Sequence, residues 1–463
     1  MNSIRPLRQY SAVISALRTN HGVMRPRVSH ARRSYATATK ADLYDVVVVG
    51  GGPAGLSLAS SLRSSSVTNG LRVALVEGFD LAPGRNWKPE PQTFSNRVSS
   101  LTPGSVGFLT DIGAWKHVDR DRVQAYHGMQ VWDGISGSRI QFNWNPSASE
   151  TIAYMTENTN LVHGLLSRLS ELGGVEVIDK TRVENISFGE DNGELDLRTW
   201  PTVEITGGRK LTARLLVGAD GANSPVRTFA GIESRGKNGI SEILAVGTSG
   251  TATSSWRFCN PRMVHNPQNA AKLKTLAPTD MAAMVNAAFR LSHVDIDFIK
   301  DLDSGIAGEV QWRESVTQFD YTRVPGRVVG VQDKSVASFP LKLRHADTYI
   351  GERVALIGDA AHTVHPLAGQ GLNQGIGDVQ SLIKTVETAV QNGQDIGSVL
   401  SLEPYYSEQY FKNHLMLGVV DKLHKLYGTT SAPIVALRSF GLSAVDAMTG
   451  LKSLIMKQAS GGR

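Results

Sequence analysis

A short strand that runs directly into a glycine-rich turn constrains the fold of this chain more than any other feature. The strand, Tyr44–Val49, ends in four consecutive valines, as expected for a strand buried on both faces of a parallel sheet. Gly50, Gly52 and Gly55 follow in the spacing G-x-G-x-x-G, and a helical apolar pattern begins at Leu56. In such a turn the first glycine permits the tight bend, the second lets backbone approach a pyrophosphate, and the third lets the helix pack on the strand. The pattern predicts a dinucleotide-binding βαβ unit.

A second strand, Arg72–Val76, is followed at once by an acidic residue, Glu77, which stands 27 positions after Gly50. A carboxylate at this place can accept hydrogen bonds from both ribose hydroxyls of an adenosine, and it would repel a 2′-phosphate. The first motif therefore indicates FAD or NAD and leaves the choice between them open. The alternative is an ordinary βαβ unit whose glycine turn binds no nucleotide.

Two later segments repeat the order of strand, turn and helix start. In Leu215–Arg227 the turn carries Asp220 and Gly221. In Arg353–His362 a short strand delivers Asp359 to a turn, where its carboxylate can bind a hydroxyl of a ribityl chain. Each segment alone could be any strand-to-helix turn, so their weight comes from their combination with the first motif.

The third segment continues into a glycine-rich stretch, Pro366–Asn373. Gly369 and Gly371 allow backbone N–H groups to approach the edge of a flavin ring. A helix N-terminus aimed at that edge favours the anionic reduced flavin, because the helix dipole places positive charge there. The two later motifs therefore favour a flavin over a nicotinamide.

In their order and spacing, the three motifs resemble those of the aromatic flavoprotein monooxygenases, the p-hydroxybenzoate-hydroxylase-like class. The resemblance implies that the cofactor is FAD. It also implies that Glu77 binds the adenosine ribose, that Asp220 and Gly221 lie at the pyrophosphate, and that Asp359 binds the ribityl chain. By the same resemblance, four residues would line the isoalloxazine ring: Pro366, Gly369, Gly371 and Asn373.

Within that class the chain is similar to the mitochondrial ubiquinone-biosynthesis monooxygenases in the segments Ser95–Pro103 and Phe339–Asp347. The resemblance makes Arg97 a candidate flavin contact, with a surface salt bridge as the alternative. It implies that O2 hydroxylates ring C5 of a polyprenylated 4-hydroxybenzoate-type phenol through a flavin C4a-hydroperoxide. Ferredoxin and ferredoxin reductase would supply the electrons, and other ubiquinone-biosynthesis proteins would be partners. No side chain need act as a nucleophile, so no catalytic residue is assigned.

Two other functions fit the same motifs. One is that of another flavin monooxygenase of this class, which acts on a different phenolic or alkene substrate. The other is that of a catalytically impaired scaffold subunit of a quinone-biosynthesis complex, stabilised by its flavin. Both alternatives keep the FAD site, so they differ from the leading interpretation in chemistry rather than in fold.

The N-terminal arm, residues 1–40, carries seven Arg and one Lys and has no Asp or Glu. This composition is typical of a mitochondrial transit peptide; a disordered basic tail or a nucleic-acid-binding arm is the alternative. Outside the arm 40 basic residues stand against 42 acidic ones, so the net charge of +6 does not indicate a basic surface for nucleic acid. Together with the resemblance, the arm predicts a peripheral protein on the matrix side of the mitochondrial inner membrane.

His362 and His365 in the third motif invite a metal or acid–base interpretation. The spacing H-x-x-H without an acidic third ligand nearby is poor for metal binding, so no metal is expected. Imidazoles beside a glycine turn more often bond to backbone, and we expect that of this pair. The single cysteine, Cys259, excludes an intrachain disulfide and a cysteine-cluster zinc site.

The spread of the motifs from residue 50 to residue 373 predicts an α/β fold with a discontinuous flavin domain. We expect a Rossmann-like FAD-binding domain (42–120, 151–232 and 345–400), an inserted β-rich substrate domain (121–150 and 233–344) and a C-terminal helical region (401–463). A hairpin is expected from Met129–Trp132 and Arg139–Trp144. Apolar residues of the C-terminal region would form core, cover a long substrate tail or touch a membrane: Leu415, Leu417, Val420, Leu423, Leu426, Val435, Leu437 and Leu442.

The segment Gly239–Pro267 departs from the pattern of the family that the chain resembles. It is rich in Ser, Thr and Asn where that family has strands near an aromatic–Gln-Arg-Phe-Leu-Pro motif, and the resemblance resumes at Gln268. When suitable codons for 239–267 are read one base later, they encode such a motif. We therefore hypothesise a frame error in the gene model; the alternative is a genuine divergent loop.

Overall fold

Consecutive valine and leucine residues form the centre of a parallel sheet in this protein. The computed structural model describes residues 42–448, apart from 92, 134, 137, 144–150, 192–195, 246–247, 251–257, 260–261, 266, 321–323, 365–369, 428 and 430. The N-terminal arm, on which the transit-peptide prediction rests, lies outside the described residues. So do Pro366 and Gly369, two of the residues expected at the isoalloxazine.

The strands and helices are numbered here in chain order. The strands are β1 (Asp42–Val49), β2 (Val73–Val76), β3 (Val98–Leu101), β4 (Val123–Tyr126), β5 (Gly128–Trp132), β6 (Arg139–Asn143), β7 (Ala153–Glu157), β8 (Val175–Ile178), β9 (Val183–Phe188), β10 (Pro201–Ile205), β11 (Arg209–Gly218), β12 (Ser234–Ala245), β13 (Thr248–Gly250), β14 (Phe258–Cys259), β15 (Arg262–His265), β16 (Val328–Val331), β17 (Ala337–Ala346), β18 (Ile350–Gly351), β19 (Val354–Leu356) and β20 (His362–Thr363). The helices are α1 (Pro53–Ser64), α2 (Ala82–Arg85), α3 (Pro103–Asp111), α4 (Asn158–Leu172), α5 (Pro225–Phe229), α6 (Pro267–Lys274), α7 (Pro278–Arg290), α8 (His293–Lys300), α9 (Ile306–Val316), α10 (Gly371–Gln391), α11 (Val399–Tyr427) and α12 (Ala432–Ala447).

The main sheet brings the three sequence motifs to one edge. Its strand order is β18-β19-β11-β1-β2-β8, and β10 and β9 continue antiparallel from β11. Strand β1 runs parallel to β11 with Val49 opposite Gly218, and β11 runs parallel to β19 with Gly218 opposite Leu356. Because β1, β11 and β19 end level with one another, the turns that follow them meet at the carboxyl edge of the sheet. Ligands bind at this edge in open α/β sheets.

The core of this region comes from residues that the sequence analysis placed in buried strands and their helices. Val46, Val47 and Val48 of β1 are fully buried, and α1 packs against α4 and α10 over this layer. The apolar face of α1, with Leu56 and Leu62 buried, follows the helical spacing in the sequence. The Rossmann-like α/β arrangement is confirmed.

Smaller sheets and helices make up the rest of the described chain. β5 and β6 form the predicted hairpin, with Val131 opposite Ile140. Segment 233–344 contributes β12, β15 and most of β17 to the sheet β15-β12-β17-β20, whose last strand lies outside the segment. The segment contains the whole of the sheet β14-β13-β16. It also contains four helices, α6–α9, which the expectation of a β-rich region did not include. α6–α9 and β16 enclose a second apolar core around Met281, Val285 and Ile299.

The region after residue 400 is helical, as predicted, and consists in its described part of α11 and α12. Its apolar residues divide between core and surface. Leu417 is buried, whereas Leu415, Leu423 and Leu437 are exposed. The hairpin is joined to α12 by a buried ion pair in which Arg438 donates two hydrogen bonds of 2.9 Å to the carboxylate of Asp133.

The described part of the atypical segment 239–267 takes part in strands. Glu242–Ala245 of β12 pairs on one side with Arg262–His265 and on the other with Ala337–Pro340. The register between β12 and β17 shifts between Asn238 and Glu242, close to the point where the family resemblance is lost.

Candidate functional site

The first glycine turn is closely packed at two positions and open at a third. Gly50 has φ +114°, and a Cβ there would lie 2.2 Å from the carbonyl oxygen of Ala219. A Cβ on Gly55 would lie 1.9 Å from the carbonyl oxygen of Gly50. No atom of the described residues lies within 4 Å of a Cβ built on Gly52, so the backbone before α1 is not packed against them. The geometry fits a loop that accommodates a diphosphate at a helix N-terminus.

Glu77 lies beside this turn, at the end of β2. Its Oε2 accepts a 2.5 Å hydrogen bond from the backbone N–H of Gly51, and its Oε1 accepts one of 2.8 Å from Phe79. Each carboxylate oxygen can accept a further bond. The acid is therefore placed to receive ribose hydroxyls next to the glycine turn.

The Asp-Gly motif lies against the first turn. The backbone N–H of Ala219 donates a 2.7 Å bond to Val49, and Oδ2 of Asp220 accepts a 3.2 Å bond from the N–H of Val226. Oδ1 of Asp220 is buried and has no hydrogen-bond partner within the described chain. Burial raises the pKa of Asp220. Gly221 follows with φ +84°, a conformation that favours glycine.

The Gly-Asp motif forms a 3₁₀ turn, Gly358–Ala360, that touches both the first motif and α10. A Cβ on Gly358 would lie 3.5 Å from the Cβ of Ala54, and a Cβ on Gly375 would lie 3.4 Å from the Cα of Gly358. Asp359 is exposed to solvent, yet the protein atoms around it raise its pKa by desolvation; the nearby His362 lowers it to a smaller extent. The turn therefore presents a carboxylate next to the start of α1.

Arg227 of α5 connects the second and third motifs. Its guanidinium is buried and donates 2.8 Å hydrogen bonds to the carbonyl oxygens of Ala222 and Ala360. Burial lowers the pKa of Arg227, and the charge of Asp220 opposes that effect. Arg227 belongs to the second motif in the sequence, but no local pattern indicates that it holds the two turns together.

His362 bonds to a carboxylate, so the expectation that it bonds to backbone is wrong. Its Nε2 lies 2.6 Å from Oδ2 of Asp378 on α10, and both side chains are fully buried. Burial alone would lower the pKa of His362, but the Asp378 carboxylate outweighs burial and raises it. The pair is shielded from any bound substrate, so an acid–base role in substrate chemistry is disfavoured. His365 lies outside the described residues.

Asn373 and Gly371 occupy the first turn of α10. The side chain of Asn373 accepts bonds from the N–H of Thr102 at 3.0 Å and from the hydroxyl of Ser105 at 2.8 Å, and it donates one of 2.8 Å to the carbonyl of Ser100. These bonds attach the start of α10 to β3 and α3. Among the described atoms, none lies within 4 Å of a Cβ built on Gly371, which leaves room for a ligand on the described side.

Arg97 lies just before β3, three residues ahead of Ser100, and is exposed. Its backbone carbonyl accepts a 2.9 Å bond from the N–H of Asn158. Its role as a flavin contact stays a prediction.

The three turns contact one another at the carboxyl edge of the sheet, with Glu77 beside the first turn and Gly375 of α10 packed against the third. The open backbone at Gly52 fits a diphosphate, and the unpartnered buried oxygen of Asp220 can accept a hydrogen bond from a hydroxyl of the same ligand. Residues 43–402 match the model of the FAD binding domain family. The chain belongs to that family. FAD is its cofactor, and the chain is an FAD-dependent monooxygenase.

Curated relatives agree over nearly the whole chain. The ubiquinone biosynthesis monooxygenase COQ6, mitochondrial, of Schizosaccharomyces pombe is 38% identical and the alignment covers 90% of this chain and 92% of the relative. The protein of the same name from Homo sapiens is 34% identical, with 92% and 95% covered. At this identity and coverage the chain is a member of the COQ6 family.

Solved structures show the same fold. The crystal structure of p-nitrophenol 4-monooxygenase PnpA from Pseudomonas putida DLL-E4 has a TM-score of 0.63 to this chain at 19% identity, and the match covers 91% of this chain and 99% of PnpA.

Among the described residues, no helix is both long and apolar enough to cross a membrane. The same residues contain no group of three or more His, Cys, Asp or Glu side chains arranged to hold a metal ion.

Proposed function

We propose that the protein hydroxylates ring C5 of a polyprenylated 4-hydroxybenzoate-type intermediate of ubiquinone biosynthesis in mitochondria. The observation that carries this proposal is the convergence of the three FAD motifs at one sheet edge in a chain related to COQ6 proteins. When bound and reduced, FAD supplies the activation of O2. The substrates are accordingly a polyprenylated phenol and O2.

The contacts among the three turns support the assignment of FAD-binding residues that the family resemblance implies. The glycine turn and the N-terminus of α1 receive the diphosphate, next to Asp220 and Gly221. Glu77 binds the adenosine ribose, and Asp359 binds the ribityl chain. Gly371, Asn373 and Arg97 would contact the isoalloxazine ring, and the family resemblance assigns Pro366 and Gly369 to the same ring.

The protein contributes position rather than a nucleophile. Arg227, Asn373 and the tightly packed Gly50 fix the turns relative to one another, so the cofactor site is preorganised before a ligand binds. The segments 121–150 and 233–344 would form the substrate domain that closes over the ring and excludes water.

The partners and the place in the cell belong to the same proposal. Electrons arrive through ferredoxin and ferredoxin reductase, and other ubiquinone-biosynthesis proteins form a complex with the chain. The protein is peripheral on the matrix side of the inner membrane. Exposed apolar side chains on α11 and α12 support contact with the membrane surface, since Leu437 is 69% and Phe440 73% exposed. Leu415 and Leu423 on α11 are exposed as well.

Replacement of the Schizosaccharomyces pombe relative by this chain tests the proposed function. Cells that lack the relative should regain ubiquinone when they express this chain, and should accumulate a C5-unmodified precursor when they express the Asp359→Ala variant. Precursors are identified by mass spectrometry of lipid extracts. Rescue by Asp359→Ala at wild-type levels, or accumulation of a precursor modified at C5 without the chain, would contradict the proposal.

We further propose that segment 239–267 arises from a frame error in the gene model. The support is the loss of the family pattern from Gly239 to Pro267 and its return at Gln268. If the chain exists as written, the altered pocket wall favours the scaffold function over hydroxylation. Sequencing of the genomic DNA and transcript across the segment decides the matter: a transcript that encodes residues 239–267 in frame would overturn the frame error.

A further inference from the structure

Asp378, a residue outside the three sequence motifs, is the centre of a buried hydrogen-bond network behind the Gly-Asp turn. Oδ2 of Asp378 accepts a 2.9 Å bond from the backbone N–H of Gly358 and lies 2.6 Å from Nε2 of His362. Oδ1 accepts a 3.0 Å bond from the side-chain amide of Asn413 on α11. One carboxylate therefore connects the turn, β20 and two helices.

The network acts on the residue next to it. Gly358 has φ +60° and directly precedes Asp359, so the bond to its N–H fixes the direction in which the Asp359 carboxylate is presented. Gly375, one turn before Asp378 on α10, packs against the Cα of Gly358. The open N-terminus of α10 at Gly371 lies two turns before Asp378 on the same helix.

We propose that Asp378 and His362 form a positioning pair that holds the Asp359 turn and the start of α10 in the geometry that FAD requires. Neither side chain touches the cofactor, because both are fully buried behind the turn. Asn413 completes the pair by securing α11 to the second carboxylate oxygen. The inference rests on FAD as the cofactor of this chain.

A buried carboxylate with three donors is costly to replace, since an uncharged amide cannot accept all three bonds. In Asp378→Asn the new amide N–H₂ must face either the backbone N–H of Gly358, which is a fixed donor, or Asn413, whose amide would have to turn to accept, and the charge-assisted bond to His362 is lost in either case. The double variant Asp378→Asn/Asn413→Asp restores a donor–acceptor pair between the two positions. If the double variant recovers FAD affinity, the loss in Asp378→Asn comes from the broken hydrogen bond between positions 378 and 413. If it does not, the loss comes from the missing carboxylate at position 378.

Ser381 provides a matched control. It is buried on α10 one turn after Asp378, and its hydroxyl donates a 2.8 Å bond to Glu408 on α11. Ser381→Ala therefore removes a contact between the same two helices without touching the turn.

The dissociation constant of FAD from the refolded apo-protein, measured by flavin fluorescence quenching, is the first readout. We expect Asp378→Asn to raise it about 10-fold or more, Ser381→Ala to leave it within about 2-fold, and the double variant to recover most of the loss. If Asp378→Asn does not fold, Asn413→Ala replaces it, with a smaller rise expected. The proposal would be overturned if Asp378→Asn and Ser381→Ala changed the dissociation constant of FAD equally, or if neither changed it.

Hydrogen exchange of the apo-protein is the second readout and does not depend on FAD. We expect Asp378→Asn to accelerate exchange at the Gly358 and Asp359 amides while β2 stays as protected as in the wild type. Uniform acceleration over the whole chain would show that the pair contributes only general stability, and the proposal would fail. If the wild-type protein itself does not bind FAD, the cofactor assignment fails instead, and this readout still tests the turn.

Discussion

The buried guanidinium of Arg227 gives the sharpest prediction about how the site is held together. Arg227→Met keeps the length of the side chain and removes both hydrogen bonds, those to the carbonyl oxygens of Ala222 and Ala360. These bonds join the Asp-Gly turn to the Gly-Asp turn. We therefore expect the variant to lose both stability and FAD affinity.

The magnitude follows from two opposing effects. A buried carbonyl left without its donor costs about 1–3 kcal/mol, so two of them set an upper range of about 2–6 kcal/mol. Removal of a buried cation regains part of this, because burial of a charge is itself unfavourable, in agreement with the lowered pKa of Arg227. We expect a net decrease of about 2–3 kcal/mol in the free energy of opening around the two turns.

Native-state hydrogen exchange of the apo-protein measures this loss at the amides of β11 and β19, and fluorescence titration measures FAD affinity. Arg198→Met is the matched control, because Arg198 makes an exposed ion pair with Asp196. It should change neither quantity measurably. Unchanged exchange and affinity in Arg227→Met would refute the argument that this residue joins the motifs.

Three further predictions concern single side chains. Tyr405→Phe removes a buried 2.5 Å bond to the carbonyl of Leu356, just before the Gly-Asp turn, and should lower the unfolding free energy by about 1 kcal/mol in urea titrations. Asn373→Ala removes three bonds between α10 and the β3–α3 connection, so the Thr102 amide should exchange faster, with little change in β8. Asp359→Asn should weaken FAD binding and yet stabilise the apo-protein near neutral pH, because desolvation raises the pKa of Asp359 and disfavours its charged form in the fold. That gain, measured as the shift in urea midpoint, should shrink as the pH falls through the raised folded pKa and vanish below the ordinary value of 3.8, where the wild-type carboxyl is protonated in both states.

Each of these outcomes can fail in a specific way. A wild-type midpoint for Tyr405→Phe would mean that the Leu356 carbonyl finds another donor. Protection of Thr102 that survives Asn373→Ala would mean that packing alone holds α10. A stabilisation by Asp359→Asn that grows on acidification would reverse the sign expected from a raised carboxyl pKa.

The parts of the site that sequence reasoning found are those with local steric requirements. Gly50 and Gly55 were assigned their roles because a turn between strand and helix leaves no room for a side chain, and the structure shows contacts of that kind. Glu77 was found because the end of the second strand must lie beside the turn. The hairpin was found because its turn residues and alternating apolar residues are contiguous in the sequence.

The residues that sequence reasoning missed act across long separations in the chain. Arg227 reaches a carbonyl 133 positions away, and Asp378 reaches a histidine 16 positions before it in another element. Which carbonyl or imidazole a buried charge meets depends on the packing of the whole sheet, so local patterns cannot supply it. Asp378 could have been suspected, because a charged residue within an apolar helical pattern requires a partner.

The helices of segment 233–344 are a different case, because their signals were present. Pro278 stands at the first position of α7, and Ser292 and Asp295 form a capping box at the start of α8. The expectation of a β-rich domain stood beside the predicted hairpin in 121–150 and did not take these local signals into account.

The absorption spectrum of the purified chain, recorded after saturation with FAD and removal of unbound FAD, tests the central claim most directly. If the three turns form one cofactor site, the folded protein should retain close to one FAD per chain and show the visible bands of oxidised flavin, and Gly50→Ala should lose them. A chain whose circular dichroism shows a folded α/β protein, but which remains colourless after saturation with FAD, would contradict the account.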